Sequence, residues 1–436
     1  MSSASDRAGA LLTVDLDAIA ANWRALKSRL APGVECGAAV KGDAYGLGAA
    51  RVVPTDPALV ERGAYLARIG NCAGCHTATG GEVYAGGRAF SSDYGTVYSS
   101  NLTPEPEFGI GDWSLAEFAH AMRHGVSRNG LASPVFPYAN FAQLPERDIE
   151  ALFAYLGQLA PVARAQPEAV MSFPANLPGA LLAWRLLYHR PAELQPVDGM
   201  DDGWQRGRAL VNGIGHCAMC HGKRGRFASL AADAELGGSR ISGWYAPPLH
   251  GGSLEGRFEP GSIATYLRGG TAHDRGGYGA MADVIATSTR YLSEQDAQGI
   301  ETYLRSLPVP PLAERSDQRL RVTGEHLREG RALYAQHCAD CHGEDGRGEP
   351  GRYPALVDSA AVVGSDPVNL VKLISLGAIA PSTPLHPRPH SMPPLAHRLN
   401  AREIAAIVND VRERWGSRPR PVTPEEVREL GGMVRH

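Results

Sequence analysis

The sequence lacks the features of a membrane-spanning or nucleic-acid-binding protein. Its 436 residues contain no run of about 18 apolar residues, the length that a membrane-spanning helix requires. Residues 1–30 also lack the apolar core of a secretory signal, because Asp6, Asp15, Asp17 and Arg24 interrupt the segment. The net charge of −3 indicates neither nucleic acid nor an anionic membrane surface as a partner. We therefore expect a soluble globular chain with room for about three domains.

Cysteine is scarce too, and its placement is informative. Of the seven cysteines, all but Cys36 fall in three copies of a Cys-x-x-Cys-His motif. This motif is the attachment signal of c-type haem: two thiols bond to the porphyrin, and the adjacent histidine lies beneath the iron as its proximal ligand. The sequence thus predicts three covalent haems c. Their expected attachment residues are Cys72, Cys75, Cys217, Cys220, Cys338 and Cys341, and their expected proximal ligands are His76, His221 and His342.

Two other uses of a Cys-x-x-Cys pair fit this chain less well. A structural zinc ribbon needs two such pairs roughly 15–20 residues apart, whereas these copies are more than a hundred residues apart. A thioredoxin-like redox site does not require a histidine after the second cysteine. Three complete copies therefore favour haem.

Each motif belongs to a repeat with the same expected order of helices. A short helix containing Gly63, Gly207 or Gly330 precedes the motif, and the glycine would let the closing helix cross closely. The closing helices are expected at 145–158, 293–306 and 400–415, and in the first of these an apolar face repeats at the helical period. Its residues are Ile149, Leu152, Phe153 and Leu156. Helix starts are indicated by an N-cap residue with a carboxylate three positions on, namely Ser293 with Asp296 and Asn400 with Glu403.

These repeats resemble class I cytochrome c domains. As a tandem set they resemble the triple-haem cytochrome c subunit of bacterial membrane-bound alcohol, aldehyde or gluconate dehydrogenases. The resemblance includes the connector FPANLPGALLAWRLLYHRP and, in the second repeat, GWYAPPL and STRYL. It implies a mainly α fold of three tandem class I cytochrome c domains, preceded by a short α/β fragment. The expected divisions are 1–53 for that fragment, 57–160, 201–308 and 323–416 for the first, second and third repeats, 161–200 and 309–322 for linkers, and 417–436 for a tail.

In such domains a methionine from a later loop takes the other face of the iron, which raises its reduction potential. The resemblance places Met281 in this role in the second repeat and Met392 in the third, both in Gly/Pro-rich loops before the closing helix. For either methionine the alternative is a place in the core.

The first repeat departs from this pattern. Met281 follows His221 by 60 residues, and the residue 60 positions after His76 is Phe136. Phenylalanine cannot ligate iron, so the sixth ligand of the first haem is unknown. Nearby, Met122 occupies the position of a core leucine, and His120 and His124 are expected to be surface residues, with iron ligation by either histidine as the alternative.

Residues 12–50 resemble a truncated alanine racemase N-terminus, in which Lys41 would correspond to the lysine that binds pyridoxal phosphate. The similarity stops at about residue 54, and a (β/α)₈ barrel needs at least about 200 residues. A fusion, or a start codon upstream of the true one, would explain both the segment and the lost signal.

The expected function is an electron-transfer subunit with no catalytic site of its own. The resemblance implies a partner dehydrogenase subunit, ubiquinone or a terminal oxidase as acceptor, and a periplasmic site, peripheral on the inner membrane. The alternatives are a peroxidase-like haem enzyme with an open first haem and, on the strength of Lys41 alone, a racemase-like pyridoxal-phosphate protein.

Overall fold

The structure is a computed structural model. It describes residues 21–22, 24–25, 28, 56–189, 194–225, 229, 236–255, 257–272, 275–308, 322–388, 391–416 and 420–432. Lys41, Cys36 and nearly all of the predicted N-terminal fragment lie outside these residues. Within them, no helix combines the length and apolarity needed to cross a bilayer.

The described residues form two compact units. One holds the described residues up to Ala67, together with Cys72–Tyr138 and Pro145–Ala183. The other holds Arg68–Asn71, Ala139–Leu144 and the described residues from Trp184 onward, and so contains the second and third repeats.

Helices dominate the first repeat and its connector, and the strands are short. The helices are α1 Pro57–Ile69, α2 Cys72–Cys75, α3 Leu115–His124, α4 Tyr138–Phe141, α5 Glu146–Leu156 and α6 Ala180–Tyr188. The strands are β1 Ala89–Ser92, β2 Gly95–Tyr98, β3 Val126–Ser127, β4 Gly130–Leu131 and β5 Val170–Met171. Strand β2 pairs antiparallel with β1 on one side and β5 on the other, which ties the connector to this repeat.

The second repeat has the same helical order with two small hairpins. Its helices are α7 Asp202–Asn212, α8 Ala218–His221, α9 Gly251–Leu254, α10 Ser262–Gly269, α11 Gly279–Thr287 and α12 Glu294–Ser306, with a 3₁₀ turn at Thr289–Tyr291. Its strands are β6 Ser239–Ile241, paired with β7 Trp244–Ala246, and β8 Thr271–Ala272, paired with β9 Arg275–Gly276.

The third repeat ends in the longest helix of the described residues. Its helices are α13 Gly324–His337, α14 Ala339–His342, α15 Ala360–Val363, α16 Val368–Leu376 and α17 Ala401–Trp415, followed by α18 Pro424–Leu430. Strands β10 Ala378–Ile379 and β11 Ser391–Met392 form one hairpin. Helix α17 runs through the core of this repeat, where Ile404, Ile407 and Val408 are at most 1% exposed.

A glycine lies at the crossing of the first and closing helices in every repeat, as predicted. A Cβ atom added at these positions would lie only 1.9–2.1 Å from a backbone oxygen of the closing helix, a distance that no side chain tolerates. The glycines are Gly63, Gly207 and Gly330, and the oxygens belong to Ala151, Gly299 and Ala406. Only glycine therefore permits this approach.

The predicted helix starts are also confirmed. The Ser293 side chain accepts a hydrogen bond from the Asp296 backbone N–H, and Asn400 forms a reciprocal capping box with Glu403. The predicted apolar face is buried at Ile149, Leu152 and Leu156, whereas Phe153 is half-buried and packs against Phe118 with a ring-centroid distance of 5.2 Å.

Candidate haem sites

Each Cys-x-x-Cys-His motif folds into a single helical turn directly after the first helix of its repeat. In each turn the backbone N–H of the histidine donates to the carbonyl of the first cysteine, at 2.8–2.9 Å. Residues three apart lie on the same side of a helix, so the turn presents both sulfurs together. None of the six motif cysteines is in a disulfide.

A backbone carbonyl fixes the orientation of each histidine ring. Nδ1 lies 2.7 Å from the carbonyl oxygen of Ser100 in His76, 2.6 Å from that of Pro247 in His221, and 2.8 Å from that of Pro354 in His342. A carbonyl can only accept a hydrogen bond, so Nδ1 must carry the proton. The lone pair then lies on Nε2, which is the arrangement of a histidine prepared to bind a metal.

Removal from water sets the charge state of these groups. It lowers the pKa of His76, His221 and His342, which favours the neutral imidazole that iron requires. It also raises the pKa of the Cys72 and Cys217 thiols to about 12. Dithiol redox catalysts and thiolate metal sites depend on a lowered thiol pKa. The motifs thus fit sulfurs that become thioethers and carry no charge.

The motifs of the second and third repeats line one continuous cavity of about 980 Å³. Pockets for a single small ligand are about 300–1,000 Å³, so this cavity is at the top of that range. It is lined by Cys217, Cys220, His221, Met281, Cys338, Cys341, His342 and Met392, among mainly apolar neighbours. The structure therefore brings all the predicted site residues of these two repeats into one enclosure.

The backbone around the two methionines differs from the predicted loops. Met281 lies in the first turn of α11, and Met392 lies in β11, paired with Ala378. In the second repeat, Gly279 has φ +56° and starts a helix whose sequence is rich in helix-forming alanine. In the third, the hairpin partner β10 holds the residue in an extended conformation.

The first repeat has no methionine at the corresponding position. Phe136 is half-buried, and its ring lies 6.5 Å from that of Tyr138. Met122 is buried in α3, which confirms its predicted place in the core. His120 is exposed as expected, and its ring centroid lies 4.9 Å from that of the half-buried His124.

Arg257 is a cavity residue that the sequence did not reveal. Among the described residues, its guanidinium donates to the backbone carbonyls of Ser253 and Pro248 and forms no ion pair with a carboxylate. Removal from water lowers its pKa. A cation of this kind suits the anionic carboxylates that haem carries. Its chemistry, like that of the motifs, therefore fits the predicted cofactor.

The carbonyl anchors were missed as well. Pro247 lies within GWYAPPL, one of the segments that carries the resemblance, 26 residues after His221, whereas Pro354 lies only 12 residues after His342. In the first repeat, however, the anchor is Ser100, so residue type offers no common signal.

Comparison with known proteins places these features in a family. The family model Cytochrome c matches residues 60–160 and 327–415. The chain is 36% identical over 405 residues to the alcohol dehydrogenase (quinone), cytochrome c subunit, of Gluconacetobacter polyoxogenes, covering 88% of this chain and 86% of that one. It is 34% identical to the gluconate 2-dehydrogenase cytochrome c subunit of Pantoea cypripedii, over 86% of this chain and 89% of that one.

The N-terminal part has a second similarity. The family model Alanine racemase, N-terminal domain, matches residues 14–104. The alanine racemase of Rhodospirillum rubrum is 69% identical over 49 residues, which is 11% of this chain and 13% of that enzyme. The similarity to cytochrome subunits spans far more of the sequence, and the chain belongs to the family of dehydrogenase cytochrome c subunits.

Proposed function

We propose that this chain is an electron-transfer subunit carrying three covalent haems c. One observation supports the number three above all. All three motifs form the same helical turn, and in each the histidine Nδ1 is hydrogen-bonded to a backbone carbonyl. A repeat that had lost haem binding would not be expected to retain this hydrogen-bonded histidine geometry.

The proposed roles follow the chemistry of the side chains. The six motif cysteines hold the porphyrins through thioethers, and His76, His221 and His342 are the proximal iron ligands. Met281 and Met392 are the distal ligands of the second and third haems. Arg257 receives a carboxylate of the bound cofactor. When bound, each haem supplies a one-electron redox couple.

The proposal assigns each haem to its own domain. The domains are the first repeat at 57–160, the second at 201–308 and the third at 323–416, after an N-terminal fragment at 1–53. Linkers at 161–200 and 309–322 and a tail at 417–436 complete the chain. Three sites in one chain would form a relay along which single electrons pass.

The names of the relatives support a partner dehydrogenase. Relatives are named as cytochrome subunits of alcohol and gluconate dehydrogenases. We accordingly propose that a partner dehydrogenase subunit oxidises the substrate and passes electrons to this chain. Ubiquinone or a terminal oxidase would accept them, on the periplasmic face of the inner membrane and with peripheral attachment.

Phe136 is the one feature that favours a second function. A first haem without a sulfur ligand would be open to small molecules, as in a peroxidase. Racemase activity has weaker support, because the similarity covers only 13% of a related racemase, and that length cannot form a (β/α)₈ barrel.

The test is a haem count on protein exported by a host that matures c-type cytochromes. Mass spectrometry should show three haem additions on the wild type and two on a variant with both Cys338→Ala and Cys341→Ala. A redox titration should then show that every attached haem accepts one electron. Two or fewer additions on the wild type would contradict the proposal.

A further inference from the structure

A buried asparagine joins the third repeat to the second. Asn369, near the start of α16, is 3% exposed. Its Oδ1 accepts from the backbone N–H of Tyr245 at 2.9 Å, and its Nδ2 donates to the carbonyl of the same residue at 2.7 Å. Nδ2 also lies 3.4 Å from the Tyr278 hydroxyl oxygen. The side chain thus bonds to the edge of β7 as a neighbouring strand would.

The two residues that Asn369 contacts lie next to candidate iron ligands of the second repeat. Tyr245 is two residues before Pro247, whose carbonyl accepts the hydrogen bond from His221. Tyr278 is three residues before Met281, at the start of α11. One side chain of the third repeat therefore contacts both the proximal and the distal segments of the second.

Further contacts surround this asparagine and join the same two repeats. Arg240 forms an ion pair with Asp366, in which Nη2 lies 2.7 Å from Oδ1. On the cavity side, Arg275 Nη1 donates to the carbonyl of Val357 at 2.9 Å. Asn369 itself lines the cavity that both motifs share. The cavity and these contacts between the two repeats belong to one compact unit.

We infer that Asn369 is a positioning residue that holds the second and third haem sites as one pair of fixed separation. This inference rests on the proposed function. With haem bound at both sites, a fixed separation would let one electron pass directly from one haem to the other, one being oxidised as the other is reduced, with no proton transfer and no domain movement. The contacts of Asn369 with Tyr245 and Tyr278 keep the candidate iron-ligand segments of the second site at a fixed position relative to the third site.

The chain provides a matched control. Asn409 forms the same pair of bonds to Val422, accepting from its N–H at 2.8 Å and donating to its carbonyl at 2.9 Å. It is 6% exposed, and its Nδ2 also lies 3.3 Å from His326 Nε2, so all its contacts are within the third repeat and the tail that follows it. Asn369→Leu and Asn409→Leu therefore remove equivalent bonds, of which only the first set joins two haem sites.

The first measurement is circular dichroism in the Soret band of the matured full-length protein. Exciton coupling between two haems at a fixed short separation adds a bisignate component to the bands of the separate haems. We expect wild type and Asn409→Leu to show it and Asn369→Leu to lose it, with three haems still attached in each. An unchanged bisignate band in Asn369→Leu would overturn the inference. A wild type with fewer than three haems would instead contradict the proposed function.

The second measurement needs no haem signal. A protease site inserted between residues 314 and 315 allows the mature protein to be cut between the two repeats. We expect the cut halves to stay together in wild type and Asn409→Leu, and Asn369→Leu to weaken their association about tenfold or more, since loss of a buried hydrogen-bond partner has roughly that cost. Equal association in the two variants would contradict a specific role for Asn369.

Asn369→Leu could fail to mature, and Arg240→Gln then provides the test. Its side chain is about half exposed at 52%, so folding should persist. We expect a weaker but measurable loss of association between the cut halves. No loss would show that these contacts do not hold the pair.

Discussion

The first and second repeats are alike around the motif histidine and differ at the residue 60 positions after it. In both, the first helix crosses the closing helix at a glycine, and a backbone carbonyl oxygen fixes the orientation of the motif histidine ring. At the proposed distal position, 60 residues after the motif histidine, the second repeat has Met281 and the first has Phe136. The surroundings of the histidine depend on backbone contacts that tolerate little change, whereas a single substitution would alter the proposed distal ligand.

An arginine–aspartate pair next to the crossing strengthens the comparison. Arg62 bonds to Asp148 in the first repeat and Arg206 bonds to Asp296 in the second. The third repeat reverses the charges, with Glu329 on the first helix and Arg402 on the closing helix. All three repeats thus have an ion pair between the first and closing helices at this position, but the helix that carries the positive residue differs.

The largest expected effect comes from filling the helix crossing. In Gly207→Ala the new Cβ would lie 1.9 Å from the Gly299 carbonyl oxygen. The helices must separate, which should lower the free energy of unfolding by about 1–3 kcal/mol or more. Denaturant unfolding of the mature protein measures this loss.

The control lies in the same helix. At Gly203 the nearest atom to a new Cβ is a side-chain oxygen of Asp201, 3.2 Å away. Gly203→Ala should therefore be neutral, or stabilise the helix by about 0.5–1 kcal/mol. If Gly207→Ala unfolds like Gly203→Ala, close helix crossing is not what the glycine provides.

The next effect is the loss of a distal ligand. Met281→Ala and Met392→Ala should each abolish one sulfur-to-iron absorption band and lower the reduction potential of one haem, because methionine ligation raises the potential. Met122→Leu serves as the control and should change neither property, since Met122 is a core residue. Bands and potentials that stay the same in the first two variants would show that the ligand assignments are wrong.

A gain of ligand in the first repeat would sharpen the comparison further. Phe136→Met should add a sulfur-to-iron band and raise the lowest haem potential, if the first repeat differs from the second only at this side chain. Near-infrared spectra during a redox titration check this, with wild type beside the variant. Three sulfur bands already present in the wild type would mean that another methionine binds the first haem.

Local sequence patterns predicted the frame of each repeat. The cap at Asn400, the apolar face around Ile149 and the crossing glycines depend on residues close together in sequence, so spacing was sufficient. The Cys-x-x-Cys-His motifs are local as well, so sequence alone was enough to predict attachment and proximal-ligand roles for their cysteines and histidines.

Long-range and backbone features were not predictable in this way. The anchors of the histidines are carbonyl oxygens, which every residue has, and they lie 24, 26 and 12 residues from their partners. Asn369 meets Tyr245 across 124 residues. The single cavity of the second and third repeats likewise arises from packing between repeats, which no local sequence motif predicts.

The smallest expected effect is the difference in stability loss between two arginine variants, one in the second repeat and one in the third. Arg206 bonds to Asp296 through two contacts of 2.9 and 3.0 Å, and the aspartate side chain is only 11% exposed. Arg206→Ala removes the guanidinium from a carboxylate that water reaches poorly, which should cost about 1–3 kcal/mol. Arg402 makes one contact of 3.2 Å to Glu329, and its own side chain is 69% exposed. Arg402→Ala should therefore cost no more than about 1 kcal/mol.

Denaturant unfolding of both variants gives the difference in free energy of unfolding. Raising the salt concentration should weaken the wild-type Arg402 contact more than that of Arg206, because exposed charges are screened more strongly. Equal losses of stability in the two variants would mean that the Arg402–Glu329 pair stabilises the third repeat as much as the Arg206–Asp296 pair stabilises the second.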